Sequence, residues 1–171
     1  MWDELVEAAS AESPLWADAL LPFERQRREP VFSRLAPERH RLGLETIYEG
    51  YLVHYGTPRL FAPDGGDIAL LLGDYLYAQG LVWVAATGDV AAVADLAELI
   101  SLCAQGRASG RGGDGAAWAA TAACLGAGGL DTARDALRLN DDARELEAVA
   151  RATAGDAAVD AALAAHGCLV G

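Results

Sequence analysis

The chain predicts an all-α fold. Apolar residues recur at helical spacing almost from end to end, runs of β-branched residues are few, and no stretch alternates with a period of two. The punctuation agrees, because Ser-Pro, Asp and Gly fall where helices would start and stop. With 171 residues, 53% of them hydrophobic, the chain suits one globular domain that buries a real core.

In order, residues 2–11 and 14–21 predict short helices, the second opened by Ser13-Pro14. Pro22, Pro30 and Pro37 punctuate an Arg-rich connector, and a helix is predicted over 37–55. Gly56, Pro58, Pro63 and Gly65-Gly66 form the following loop. The next helix is predicted from Asp67, an acidic residue suited to a positive helix end, to Ala86. Thr87-Gly88-Asp89 is a tight break, with Asp89 placed to cap a helix over 90–105. On that helix Val93, Leu96, Ala97, Ile100 and Ala104 share a face, and Asp95 and Glu98 turn to water. These two helices predict a helical hairpin.

GRASGRGGDG (106–115) reads as a flexible loop. Further helices are predicted over 115–126, 130–138, 141–153 and 156–166, the last three Ala-rich with Asp131, Asp141 and Asp156 at cap positions. The single helical domain thus divides into N-terminal helices and connector (1–36), a central core (37–130) and C-terminal helices (131–171).

Charge narrows the function classes. The net charge is −12, and all 13 basic residues are Arg. Such a surface argues against nucleic-acid binding and against anionic membranes, both of which need clustered cations. The Arg-only, Ala- and Gly-rich usage is that of a GC-rich bacterial genome. Cys103, Cys124 and Cys168 are far apart, with no metal-binding spacing and no secretory signal, so the expected setting is a reducing cytoplasm. Residues 68–86 are apolar enough to raise the question of a membrane span. Asp74, Gln79 and the interrupting glycines favour a core helix, and the chain is not expected to be an integral membrane protein.

One group of segments carries more. GDIALLLGDYLYAQG (66–80), then LVWVAATGDV, then AELISLCAQG (97–106) resemble the middle of a trans-type polyprenyl diphosphate synthase. Leu52-Val53-His54, Gly56-Thr57-Pro58 and Leu72-Gly73-Asp74-Tyr75-Leu76 fall in the order of that family's motifs. The segment from Gly115 to Ala127 is similar to its following helix. The resemblance covers roughly residues 40–130. It implies an abridged isoprenoid-synthase-like helical bundle.

The departures from the family bear on its chemistry. Ionising an allylic diphosphate needs Mg²⁺ held by facing aspartate clusters. Here LVHYGTPRLF (52–61) contains no aspartate, and Tyr55 stands where the first cluster would begin. Asn140-Asp141-Asp142 reads as a solvated helix start, not a second cluster. Arg25, Arg27 and Arg28 are only a loose substitute for the family's basic segment. No catalytic residue, metal ligand or cofactor is therefore assigned.

The resemblance instead implies a small subunit that pairs with a catalytic polyprenyl synthase, or with itself, through central helices. Tyr75, Leu76, Trp83, Leu96 and Ile100 are the candidate interface residues. Alternatives are a diphosphate-binding enzyme with relocated acidic ligands, and a structural accessory subunit of a larger complex.

Several polar residues need an account. Asp74, inside an apolar helix, needs a partner if buried, and Arg59 is the candidate. Glu45 and Glu49 share a helix face with His54 nearby, which reads as a solvated or interface face rather than a metal site. Tyr48, Tyr51 and Tyr55 read as core or interface. Arg107 and Arg111 could cradle an anion, although a plain connector is the simpler reading. His40 and His166 read as surface residues.

Overall fold

A computed structural model describes residues 1–170. Among these the chain forms nine α-helices: α1 (Trp2–Glu12), α2 (Pro14–Asp18), α3 (Arg41–Tyr55), α4 (Gly66–Ala85), α5 (Val90–Ala108), α6 (Asp114–Ala123), α7 (Asp131–Asn140), α8 (Arg144–Ala154) and α9 (Asp156–Val170). Extended pairing is confined to one isolated antiparallel bridge, Leu20 with Phe61. The fold is all-α.

The helix ends follow local chemistry. Ser13 accepts the Leu15 N–H at 3.2 Å and Pro14 opens α2. Asp89 accepts the Ala92 N–H at 3.0 Å and so caps α5. Two expectations shift. The second helix stops at Asp18, because the chain then runs alongside the loop that follows α3. There the Ala62 N–H donates to the Ala19 carbonyl at 2.7 Å and the Leu21 N–H to the Leu60 carbonyl at 2.9 Å. Asp141 does not start a helix; it ends α7 in a left-handed conformation with φ of 57°, which a short polar side chain tolerates.

The core has two parts. The larger surrounds α6, whose residues Gly115–Ala122 are all buried. Its alanines let neighbouring helices approach closely, and Trp118 fills the space that remains. The Trp118 ring packs 5.7 Å from Phe32, 5.0 Å from Tyr48 and 5.4 Å from Tyr51. Leu146 and Ala150 of α8 and Val159 and Ala162 of α9 belong to this same core, so the C-terminal helices are integral to it. The smaller part joins α1 and α2 to α4. Leu5, Ala9 and Trp16 meet Leu72 and Leu76 there, with Trp16 stacked on Tyr75 at 6.0 Å.

Sequence patterning pairs α4 with α5, and the two do follow one another across the turn at residues 86–89. The principal partner of α4, however, is α3. Glycine explains this. Gly43 and Gly50 on α3 face Gly80 and Gly73 on α4, so the backbones meet without side chains between them. A Cβ at Gly43 would lie 2.7 Å from the Gly80 carbonyl oxygen, and one at Gly50 would lie 2.9 Å from that of Gly73. Gly167, by contrast, sits inside α9 with nothing within 4 Å of an added Cβ. Gly167→Ala is therefore expected to stabilise the fold by ~0.5–1 kcal/mol, read as a raised urea midpoint at unchanged slope.

The orientation of α5 also differs from expectation. Ala92, Asp95, Leu96, Leu99, Leu102 and Cys103 point inward, while Ala97 is exposed. Asp95 turns in because the buried Arg134 of α7 meets it at 3.0 Å. Its Oδ2 also accepts the Gly126 N–H at 3.0 Å.

Candidate functional site

Two polar networks lie inside the fold. The first joins Glu45 and Glu49, one turn apart on α3, to Arg59 in the loop that follows; all three are almost wholly buried. Arg59 Nη1 donates to Glu45 Oε2 at 2.6 Å and Nε donates to Glu49 Oε2 at 3.0 Å. The other carboxylate oxygens accept backbone donors. Glu45 Oε1 takes the N–H groups of Val31 and Ser33 at 3.0 and 3.1 Å. Glu49 Oε1 takes those of Arg59 and Leu60, both at 2.8 Å. The guanidinium also lies 5.0 Å from the ring centroids of Trp2 and of Tyr48. Burial alone would favour the neutral guanidine, but the charges of Glu45 and Glu49 outweigh it and raise the pKa of Arg59.

This overturns two sequence readings. Glu45 and Glu49 form an internal clamp, not a solvated face. Arg59 does not pair with Asp74. The Asp74 side chain is 66% exposed, and its Oδ1 lies 3.3 Å from His54 Nε2, in the room that Gly73 leaves for the histidine ring. What the network does chemically is fix backbone. It ties the connector at 29–33 and the loop at 59–60 to α3, with both carboxylates paired to the one guanidinium.

The second network sits at the start of α6. Asp114 Oδ2 accepts hydrogen bonds from the Tyr51 hydroxyl and from Arg107 Nη2, the latter at 2.5 Å. His166 of α9 is buried between Tyr48, whose hydroxyl lies 2.9 Å from its Nδ1, and Asp114, 3.6 Å from its Nε2. It is not a surface residue, and neither is His40, which lies buried 3.0 Å from Asp89. The Ala92 N–H, then Arg39, then His40 hold the Asp89 carboxyl down at about 2.

Burial would raise the pKa of Asp114. The His166 ring close by, the hydrogen bond from Tyr51 and the Arg107 guanidinium together outweigh it, so the carboxyl is held below its usual range. A depressed carboxylate adds stability that is present above its unfolded pKa of ~4 and is lost as pH falls through the lower folded value. Asp114→Asn is therefore expected to cost ~1–3 kcal/mol at neutral pH, and less as the pH drops below ~4. Thermal melts of both proteins at pH 7 and pH 3 check this; a constant gap between them would count against it.

The loop between α5 and α6 does not build an anion cradle. Arg107 is engaged by Asp114 and Tyr51, and Arg111 donates to the Arg138 carbonyl at 2.7 Å. The space between them is about 10 Å³, room for roughly one water. Among the described residues, no three of His, Cys, Asp and Glu gather in a way that could hold a metal ion.

The candidate interface residues divide. Leu76 and Leu96 are core, 1% and 0% exposed, and are unable to meet a partner. Tyr75, Trp83 and Ile100 are half-buried against the two apolar clusters. What α4 leaves uncovered is a different set: Leu70, Leu71 and Val82, each more than half exposed. This helix is the one described segment long and apolar enough to cross a membrane, and 28% of its most apolar window is buried. Of the α4 residues that sequence reasoning placed at an interface, Leu76 lies on the inner face. The heptad-spaced glycines, which mark the inner side, were the available signal. No protein-family model, curated protein or solved structure matches the chain.

Proposed function

We propose that this chain is a non-catalytic helical subunit, related to polyprenyl diphosphate synthases, that acts in the cytoplasm by association. Its partner is a catalytic synthase of that family or a second copy of itself. The observation that carries this reading is the outer face of α4. Leu70, Leu71 and Val82 stand in solvent on a helix whose only charges are Asp67 and Asp74. Apolar patches rimmed by polar residues mark association surfaces. In a chain of net charge −12, a face with so few charges is also where another acidic protein meets least repulsion. The aspartate-free segment 52–61 supports the non-catalytic half of the reading.

The test combines assembly with activity. Size-exclusion chromatography with light scattering is run on the chain alone and with a full-length polyprenyl synthase, beside prenyl-transfer assays with Mg²⁺. The expected result is no turnover by the chain alone, together with a complex or dimer that Leu71→Glu/Val82→Glu disrupts. A strict monomer that neither binds the synthase nor alters its rate or product length overturns the proposal, as does turnover by the isolated chain.

A further inference from the structure

A groove of about 470 Å³ opens between the connector that follows α2 and the loop that follows α3. Its floor is apolar, made by Leu21, Val53, Pro58 and Phe61, and its only charged lining residues are Arg25 and Arg27. Both arginines are exposed, and among the described residues neither guanidinium has a carboxylate or hydrogen-bond partner. Most of the chain's arginines are paired instead. Arg28, Arg39, Arg59, Arg107, Arg134 and Arg138 all hold carboxylates, as a chain with 25 acidic residues makes easy. Arg34, exposed further along the chain, is likewise unpaired, so what distinguishes Arg25 and Arg27 is their place together over an apolar floor.

The groove walls are also preset. The Arg27 N–H donates to the Arg59 carbonyl at 3.0 Å, the Leu21 N–H to the Leu60 carbonyl at 2.9 Å, and Gln26 Nε2 to the Leu21 carbonyl at 2.7 Å. Arg59 itself is locked by Glu45 and Glu49 and donates to the Glu29 carbonyl at 2.9 Å. The buried clamp thus fixes both ends of the segment that carries Arg25 and Arg27. Such a groove needs little reorganisation to bind.

We infer that this groove binds a small amphiphilic anion: an apolar body on the floor and one carboxylate or phosphate head between Arg25 and Arg27. The volume lies within the range of small-molecule sites, and guanidinium forks match planar or tetrahedral anions. No residue of α4 lines the groove, so the site is separate from the association face.

Isothermal titration calorimetry tests this on the whole chain with octyl phosphate and octanoate below their micelle concentrations, and with octanol and inorganic phosphate. The expected result is one bound octyl phosphate or octanoate per chain, with either half-molecule at least tenfold weaker. The stronger of the two amphiphiles identifies the head group. Arg25→Gln/Arg27→Gln is expected to weaken binding at least tenfold with an unchanged unfolding midpoint, because neither side chain has a partner to lose. Thr57→Glu, which adds a negative charge at the rim, is expected to do the same. Absence of binding by both amphiphiles overturns the inference. So does octanol or inorganic phosphate binding as tightly as the amphiphiles, or affinity that survives both variants.

Discussion

Arg59→Met is expected to destabilise the fold by ~3–5 kcal/mol, the usual cost of removing one partner from a buried ion pair. The reason is the asymmetry of what remains. Glu45 and Glu49 would keep their backbone donors but lose the only cation that reaches them, while both stay wholly buried. Arg59→Lys keeps the charge, but a single ammonium cannot span Glu45, Glu49 and the Glu29 carbonyl as the guanidinium does, so an intermediate loss is expected. Glu45→Gln, which leaves the carboxylate of Glu49 opposite Arg59, is expected to cost less than Arg59→Met. Urea unfolding of the three variants gives the order, and a loss below ~1 kcal/mol for Arg59→Met would show that the cluster is not needed for stability. The consequence extends to the proposed anion groove, because the same arginine secures the walls that carry Arg25 and Arg27.

Much of this fold was legible because its helices begin and end on residues with local reasons to be there. Ser13-Pro14, Asp89 and the glycines before α4 and α6 act within a few residues of themselves, and sequence reasoning sees that range. What it missed was decided across the fold. Glu45 and Glu49 look like a wet face until Arg59, ten or more positions later, folds back onto them. Asp95 looks solvated until Arg134 arrives from α7. His166 looks like a surface residue near a terminus, yet α9 carries it to Tyr48 and Asp114. In each case the partner that makes burial tolerable is distant in sequence, and a lone polar residue gives no sign of it. Leu76 and Leu96, expected at an interface but buried in the core, were misplaced for a related reason. An apolar helix such as α4 is hydrophobic on every side, so its periodicity cannot say which side the core takes.

That choice is made by the glycine seam, and the seam makes the second large prediction. Gly80→Ala is expected to cost ~1–3 kcal/mol or more, as overpacking does, although alanine is the better helix former. Its Cβ would lie 2.5 Å from Ile47 Cγ1 and 2.6 Å from the Gly43 carbonyl oxygen. A side chain can rotate away, but a carbonyl in a helix cannot move without its helix, so α3 and α4 must separate. Ile47→Ala in the same chain removes only the first clash and is expected not to restore stability. Full rescue by Ile47→Ala would show that side-chain crowding, not backbone approach, limits the seam. The loss should also appear at the outer face. Leu70, Leu71 and Val82 are presented by a helix held on its inner side, and loosening that side costs the rigidity that the proposed association through α4 would need. In light scattering, Gly80→Ala is therefore expected to weaken assembly under conditions where the chain is still folded, whereas Gly167→Ala leaves it unchanged.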